Sequence, residues 1–334
     1  MKIFVTGIAG FLGSHVAEEF LNDGHDVVGC DNLIGGYTDN VPVGAEFYQH
    51  DLIDRSGLAD LMANCDLVYH TACTAYEGLS VFSPALIVEN TTQISVNTMV
   101  AAIQAGVKKF IHCSSMARYG NLGEVHYTED MDCRPQDPYG IAKLAAENLL
   151  RNLSDIHDIE LVITVPHNII GPRQKYDDPY RNVASIMANL MLQGREPVIY
   201  GDGEQQRCFS DIRDVIQSLK KVAYNSSAVG QVYNIGPDEQ PISINELCSE
   251  LGYILGKKPS PIYMPGRPQE VKHAVCSSNK IRKELDYQTN YDLRQSLISI
   301  VEYIENRGVK PFDYHLELEI INEKVPATWR DRLF

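Results

Sequence analysis

Three side chains that can hold or move a proton occur within a short stretch of the sequence: Ser115, Tyr139 and Lys143. Tyr139 and Lys143 are four residues apart, so on a helix both project from the same face. There a lysine ammonium would stabilise phenolate and lower the phenol pKa from its ordinary value of about 10, which makes Tyr139 a candidate base. Ser115 could hydrogen-bond the same substrate hydroxyl. Since Tyr-x-x-x-Lys pairs also occur by chance on surface helices, this interpretation depends on a dinucleotide site upstream.

A glycine-rich turn near the N-terminus is the candidate dinucleotide site. Gly7, Gly10 and Gly13 follow a β-branched run at residues 2–6 and open a helical pattern. The turn requires glycine because it needs unusual dihedral angles, and because a Cβ would hold a pyrophosphate away from the backbone N–H groups of the helix N-terminus. Taken alone, the three glycines fit an ordinary tight turn between a strand and a helix equally well.

The end of the second strand pattern indicates which dinucleotide is bound. Asp31 stands 18 residues after Gly13, where a carboxylate accepts both ribose hydroxyls of adenosine and repels a 2′-phosphate. No Arg or Lys lies between Lys2 and Arg55, so nothing nearby could hold that phosphate. The sequence therefore predicts NAD rather than NADP. Asp51 could reach the adenine edge, or it could be a loop carboxylate that faces water.

Alternating strand and helix patterns would position these residues. Short β-branched runs predict strands at 2–6, 26–31, 45–48, 67–72, 108–114 and 160–166. Helical periodicity predicts helices at 12–23, 55–64, 84–105 and 138–153. This alternation is typical of a Rossmann-type α/β fold, a doubly wound parallel sheet with helices on both faces. Ser115 follows a strand at its carboxyl end, where ligands bind in such sheets.

The second half of the chain has a different pattern, with shorter elements separated by Gly and Pro. We expect residues 1–170 to form the cofactor-binding and catalytic domain. Residues 171–307 would form a smaller, mixed α/β substrate domain, with some segments returning to the sheet. The C-terminal extension, residues 308–334, contains the only tryptophan. We expect Phe312, Leu316 and Trp329 to dock this extension onto the domain surface or a subunit partner.

The composition excludes several classes of partner. The chain has 334 residues and a formal charge of −15, from 29 Lys and Arg against 44 Asp and Glu. Such a surface repels nucleic acid and anionic lipid. No apolar run is long enough for a membrane span or a signal peptide. The eight cysteines form no Cys-x-x-Cys pair, so we expect reduced core thiols, no metal site and a cytoplasmic location.

Taken together, the glycine turn, Asp31, Ser115 and the Tyr139 and Lys143 pair resemble an extended short-chain dehydrogenase/reductase of the nucleotide-sugar epimerase/dehydratase family. Within it, enzymes like UDP-glucose 4-epimerase are the closest. The resemblance covers about residues 1–307. Its further signatures follow in order at His70-Thr71-Ala72, Asn90, 114–120, 138–143, 166–173 and 199–203.

The resemblance implies a site for each ligand. Its cofactor residues are Gly7, Gly10, Phe11, Leu12, Gly13, Asp31, Asn32, Asp51, Leu52, Thr71, Ala72, Asn90, Tyr139, Lys143 and Pro166. Its substrate residues are Ser115, Asn168, Asn182, Val183, Val198, Tyr200, Arg207, Arg267 and Glu270. A UDP-sugar is the implied substrate, and a homodimer through helices 84–105 and 138–153 is the implied assembly.

The resemblance also assigns parts of the nucleotide to these residues. It implies that Asn168 and Arg207 contact the diphosphate, and that Asn182 begins a helix whose N-terminus faces phosphate. Arg267 and Glu270 would lie near phosphate and ribose. Two arginines from separate loops suit an anionic diphosphate on an acidic protein. Val198 and Tyr200 would flank the base, although core packing explains these two residues equally well.

The residues after Ser115 limit which reactions of the family this site could catalyse. Related 4,6-dehydratases carry an Asp-Glu pair there, decarboxylases a Glu, and 3,5-epimerases a Cys. This sequence has Met116 and Ala117, and neither side chain moves a proton. What remains is 4-epimerisation of a UDP-hexose through a transient 4-keto sugar, or one-way reduction of a 4-keto sugar. Asp31 favours the epimerase, because simple reductases often prefer NADP. A non-catalytic NAD-binding protein is a remote alternative, which the intact Ser115, Tyr139 and Lys143 disfavour.

Because the sequence departs from the family pattern at three places, it does not identify the sugar of the substrate. Ala274 replaces a residue that helps to limit pocket size, which would leave room for an N-acetylated or uronic sugar as well as glucose or galactose. The loop 73–78 lacks the usual glycine and valine pattern, and Arg118 replaces an apolar residue.

Overall fold

The computed structural model describes residues 1–123 and 125–334. In chain order its strands are β1 (Lys2–Thr6), β2 (Asp26–Asp31), β3 (Glu46–Gln49), β4 (Leu67–His70), β5 (Lys109–Cys113), β6 (Glu160–Pro166), β7 (Ile169–Ile170), β8 (Val198–Tyr200), β9 (Gln206–Arg207), β10 (Ser210–Asp211), β11 (Val232–Ile235), β12 (Ile242–Ser243), β13 (Ile262–Met264) and β14 (His273–Ala274).

The helices surround these strands. They are α1 (Phe11–Asn22), α2 (Leu58–Leu61), α3 (Glu77–Ser80), α4 (Pro84–Val88), α5 (Ile94–Gln104), α6 (Pro138–His157), α7 (Val183–Leu192), α8 (Ile212–Tyr224), α9 (Ile244–Ile254), α10 (Asn279–Leu285), α11 (Leu293–Arg307) and α12 (Ala327–Arg330). Short 3₁₀ turns cover Thr38–Asn40, Met116–Tyr119 and Ser226–Ala228.

A seven-stranded parallel sheet in the order β11-β6-β5-β4-β1-β2-β3 confirms the predicted Rossmann-type fold. All six predicted strands are present, three of them with the predicted bounds. The seventh, β11, comes from the second half of the chain and pairs Val232 with Ile163 of β6. The carboxyl ends of β1, β2, β4 and β5 therefore lie side by side along one edge of the sheet.

Alternation along the strands divides the core between the two faces of the sheet. Ile3 and Val5 of β1 pack with α1 and α8 on one face. Phe4, between them, packs with Val68 and Phe110 on the other face, against α5. Successive side chains of a strand point to opposite faces, so a strand that is apolar throughout serves both layers.

The second half adds a third apolar layer, formed by α7, α9 and α11. Its small sheets fix individual residues beside the main sheet. Strand β9, which carries Arg207, lies between β12 and β14, while β8 pairs with β13.

The predicted helix at 84–105 is wrong as a single element. It divides into α4, a π-helical turn at Glu89–Gln93, and α5. Asn90 has non-helical dihedral angles (φ −84°, ψ 18°), and its carbonyl accepts a hydrogen bond from Thr74 N at 3.2 Å. Such π turns often mark functional sites. The predicted helix at 55–64 is also shorter, since Gly57 has φ +70° and only Leu58–Leu61 is helical.

The C-terminal extension docks onto its own chain, which is one of the two arrangements expected. The Glu319 carboxylate accepts from Ala85 N (2.9 Å) and Leu86 N (2.7 Å) at the start of α4. Trp329 is 3% exposed and donates from Nε1 to Pro179 O at 3.1 Å. Within the described residues, no helix has the length and apolar character needed to cross a bilayer.

Replacement of Trp329 by Ala should reduce the free energy of unfolding by about 3–5 kcal/mol, the usual cost of deleting a large buried aromatic side chain. The indole packs on the ring of Tyr180 at 5.3 Å between centroids and near Phe82 at 6.3 Å. Chemical denaturation measures the change. Ile321→Ala, at a side chain that is 69% exposed in the same segment, should stay within about 0.5 kcal/mol of the parent. Equal effects of the two substitutions would contradict the docked arrangement.

A candidate cofactor and substrate cavity

A cavity of about 440 Å³ lies between the carboxyl edge of the sheet and the second half of the chain. Its volume is within the range of small-molecule sites. Every residue that the sequence analysis assigned to cofactor or substrate lies on its wall, from Gly7 in the first turn to Glu270 in the second half. The structure thus brings all these candidates together around one space, although their individual roles stay predictions.

The glycine turn has the shape that a pyrophosphate requires. An added Cβ at Gly13 would lie 2.1 Å from the carbonyl oxygen of Gly7, and one at Gly10 would lie 3.1 Å from the same atom. Gly7 itself has φ +70°. No side chain caps α1, so the first N–H groups of this helix are available to an anion. These residues fit the diphosphate of a dinucleotide.

Asp31 is fixed at the end of β2 and suits a ribose. Its Oδ2 accepts from Ala9 N (3.0 Å) and its Oδ1 from Leu33 N (2.7 Å). Burial raises the pKa of Asp31, and these backbone hydrogen bonds oppose the shift. Each oxygen keeps a lone pair that can accept from a hydroxyl.

Two cations from far along the chain reach the loop after Asp31, where no nearby Arg or Lys was expected. Arg181 donates to Gly35 O at 3.1 Å, and Lys175 donates to Ile34 O at 3.4 Å. Both belong to the second half, which the sequence argument did not consider. The preference for NAD rests instead on the Asp31 carboxylate.

Ser115, Tyr139 and Lys143 meet at the carboxyl end of β5. Asp137 caps α6 by accepting from Gly140 N at 2.9 Å, and this helix start places Tyr139 on the cavity wall. Lys143 Nζ donates to Cys113 O at 2.7 Å and lies 5.9 Å from the centroid of the Tyr139 ring. Ser115 Oγ accepts from Ala117 N at 3.2 Å, so its hydroxyl proton remains available to donate.

Burial dominates the protonation of Tyr139 and raises its pKa well above the ordinary value. The nearby Cys73 and Glu77 raise it further, whereas a hydrogen bond with Ser115 lowers it. Lys143 is not among the largest influences on this pKa, so its role as the partner of the phenol stays a prediction. The ammonium is held by a backbone carbonyl, and the phenol is surrounded by groups that disfavour its anion.

Cys73 and Glu77 are cavity residues to which sequence reasoning gave no role. Glu77 begins α3, is exposed on the cavity wall, and faces the charges of Asp137, Arg207, Arg267 and Glu270. Enclosure by the protein raises the pKa of Glu77, Asp137 adds to this effect, and the two arginines oppose it. The position just after β4 is the signal that could have identified both residues.

Two of the three departures in sequence lie off the cavity wall. Arg118 is buried and forms an ion pair with Glu147 (Nη2 to Oε2, 3.1 Å), and Glu147 also accepts from Ser114 Oγ at 2.5 Å. Ala274 is buried in β14, in register with Arg207 of β9. Neither residue lines the cavity, so only the loop 73–78 bears directly on what the cavity accepts.

The second half supplies the opposite wall. Asn182 accepts from Ala184 N at 2.9 Å and so begins α7, as expected. Arg267 pairs with Glu270 (Nη2 to Oε1, 2.8 Å) and lies 5.0 Å above the centroid of the Tyr200 ring. The C-terminal extension also reaches this wall through two residues that sequence reasoning missed there, Trp329 and Phe334.

Comparison with known proteins agrees with this geometry. The family model described as NAD dependent epimerase/dehydratase matches residues 3–236. A UDP-glucose 4-epimerase of Mycolicibacterium smegmatis is 30% identical over 318 residues, covering 92% of this chain and 100% of the relative. A UDP-N-acetyl-α-D-glucosaminuronate decarboxylase of Bacillus cytotoxicus is 26% identical over 327 residues, with 91% and 99% covered.

A solved structure shows the same fold with ligands. The UDP-glucuronic acid 4-epimerase of Bacillus cereus, in complex with UDP-glucuronic acid and NAD, superposes with a TM-score of 0.86 at 29% identity. The match covers 92% of this chain and 100% of that one.

Gly13→Ala should weaken NAD binding about tenfold or more, because a Cβ 2.1 Å from the Gly7 carbonyl oxygen must force the turn apart. Gly266→Ala is the matched control, since its Cβ would lie at an ordinary 3.9 Å from Gly201 Cα. Calorimetric titration with NAD measures both variants, and circular dichroism verifies that each is folded. Unchanged NAD affinity in Gly13→Ala would exclude this turn as the pyrophosphate site.

Proposed function

Because the chain belongs to the NAD dependent epimerase/dehydratase family, we propose that it is a UDP-hexose 4-epimerase that works through a transient 4-keto sugar. The observation that carries the proposal is the residue set at the end of β5. Ser115 and Tyr139 both line the cavity there, while the next two side chains, Met116 and Ala117, have no ionisable group. A site of this kind suits proton transfer at one hydroxyl and provides no acid or base at these positions for loss of water or carbon dioxide.

The chain's own residues divide the proposed work. Tyr139, as the phenolate, takes the proton from the sugar 4-hydroxyl and later returns it, with Ser115 donating to the same oxygen. NAD⁺, when bound, supplies the hydride acceptor and a positive charge. Lys143, fixed by the Cys113 carbonyl, keeps a further positive charge close to Tyr139. Electrostatic preorganisation of this kind lowers the cost of developing charge at the reacting oxygen.

The diphosphate would be held by a few specific groups. Arg207 and Arg267 lie on the same cavity wall, and guanidinium groups bind phosphate oxygens in pairs. A protein with a formal charge of −15 cannot attract this anion by its overall field. Release of the sugar end within the cavity, while the diphosphate stays bound, would let C4 present its other face.

We also propose a homodimer through α4 and α6. These helices pack on each other and leave Val88 (46%), Ile141 (51%) and Leu149 (45%) exposed. Ile141 and Leu149 are eight residues apart and so share one face of α6. Exposed apolar side chains of this kind suit an association surface where they form a contiguous patch.

A double substitution, Ile141→Glu with Leu149→Glu, should convert the proposed dimer to a monomer, because it buries like charges in the contact. Light scattering after gel filtration measures the mass. Tyr253→Glu, at a 68% exposed side chain on α9, should leave the mass unchanged. A monomeric parent protein would exclude the dimer.

A panel of UDP-glucose, UDP-N-acetylglucosamine and UDP-glucuronate, incubated with the NAD-loaded protein and no reductant, tests the reaction. We expect inversion at C4 of at least one sugar, resolved by NMR or chromatography. If no sugar is inverted, but a 4-keto sugar is consumed with NADH, the protein is a reductase. Release of carbon dioxide or water would assign it to the other branches of the family.

Tyr139→Phe should lower kcat by about 10²–10⁴-fold, the usual contribution of a positioned acid or base, while NAD remains bound. Tyr253→Phe, which removes an exposed phenol far from the cavity, is the matched control and should keep full activity. Retained turnover in Tyr139→Phe would show that another group moves the proton.

A further inference from the structure

Glu77 is a carboxylate on the cavity wall that no step of the proposed reaction uses. It begins α3, on the segment that follows β4. Its neighbours include charges from three different parts of the chain: Asp137 before α6, Arg207 in β9, and the Arg267 and Glu270 pair. It also faces Tyr139, whose protonation it influences.

The segment that carries Glu77 is held on both sides. On the side of α6, Ser80 Oγ donates to Asp137 Oδ1 at 3.5 Å. On the other side, a Cβ added at Gly78 would lie 3.2 Å from Arg267 Nη1 and 3.2 Å from Trp329 Cη2. The segment that carries Glu77 therefore packs between α6, the helix of Tyr139, and Arg267 of the opposite wall.

This position lies between the groups that would hold the two ends of the substrate. Tyr139 marks the sugar 4-hydroxyl, and Arg207 and Arg267 mark the diphosphate attached at C1. Glu77 lines the same cavity as these three residues, so a hexose that connects them would lie in the space that Glu77 faces. A carboxylate there accepts hydrogen bonds from hydroxyl or amide N–H groups and repels a second carboxylate.

The cations on the wall leave no obvious partner for an acidic sugar. In the part of the chain that the structure describes, the lining Lys and Arg side chains are Lys143, Arg181, Arg207 and Arg267. Lys143 is held by Cys113 O, and Arg181 by Gly35 O and Asp178. The other two are needed by the diphosphate.

We propose that Glu77 is a specificity-determining residue that accepts hydrogen bonds from a neutral hexose, including an N-acetylated one, and excludes a hexuronate. The inference rests on the proposed function, since it takes the cavity to hold a UDP-sugar. It separates this protein's substrate from that of the Bacillus cereus relative, which was crystallised with UDP-glucuronic acid. Similarity of fold therefore does not imply that the two proteins prefer the same sugar, because a carboxylate lines the site of this one.

Binding of UDP-glucose and UDP-glucuronate to the NAD-loaded protein tests the proposal by calorimetry, at about pH 8, which is chosen to favour the ionised carboxylate because the pKa of Glu77 is raised. We expect the parent to bind UDP-glucuronate at least about tenfold more weakly than UDP-glucose. Glu77→Gln keeps the size and hydrogen-bonding capacity and removes the charge, so it should reduce this ratio about tenfold. Glu305→Gln, an exposed residue of α11, should leave the ratio unchanged.

The outcomes separate the inference from the proposed function. Equal binding of the two sugars by the parent, or an unchanged ratio in Glu77→Gln, overturns the role of Glu77 while a UDP-sugar site remains. Failure of both sugars to bind overturns the proposed function and the inference together. Binding in the expected ratio without inversion at C4 contradicts the epimerase alone.

Turnover in deuterated water provides an independent readout. A residue that only recognises the sugar leaves the C3 and C5 hydrogens in place, so we expect no deuterium at these carbons. Deuterium at C3 or C5 that disappears in Glu77→Gln would show that Glu77 transfers protons next to the 4-keto group, which would overturn the recognition role.

Discussion

The close approach of Gly13 to the carbonyl oxygen of Gly7 is the constraint on which the site depends. A side chain at Gly13 would leave only 2.1 Å between its Cβ and that oxygen, so α1 could not start so near the end of β1. With glycine there, the uncapped N–H groups of the helix face the carboxyl edge of the sheet. The parallel order of the strands then brings Asp31, Ser115 and Glu77 to the same edge. The absence of a side chain at Gly13 therefore allows several loops to line a common cavity.

The parts of this arrangement that sequence predicts are those set by local rules. The β-branched runs gave β1, β2 and β6 their predicted bounds, and Asp137 with Pro138 marked the start of α6. The break at Asn90 was not predicted, because the Thr74 N–H that donates to its carbonyl comes from another segment of the chain. For the same reason Arg181 was missed beside Asp31. Contacts between distant segments leave no periodic trace in the sequence.

Burial affects the ionisable groups of this protein as much as ion pairing does. The Arg118 and Glu147 pair behind Ser114 is buried, and a buried pair of this kind is costly to separate because one charge would remain without a partner. The ion pair therefore stabilises the position of the carboxyl end of β5 and does not select the substrate. At Tyr139, by contrast, burial and the neighbouring Glu77 keep the proton on the phenol. The phenolate form that the proposed reaction needs is therefore favoured by positive charge close to Tyr139.

The unusual loop 73–78 and the C-terminal extension are in contact at Gly78. Gly78, in the unusual loop 73–78, has no side chain, and this allows Arg267 and Trp329 to approach within reach of its Cα. Trp329 belongs to the C-terminal extension, outside residues 3–236 that the family model matches, and 91–92% of this chain covers the relatives almost completely. A Cβ at position 78 would require the Arg267 guanidinium and the Trp329 indole to shift by a few tenths of an ångström. The loop that presents Glu77 and the extension that closes the wall behind it therefore constrain each other, so neither can change without altering the shape of the cavity beside Tyr139.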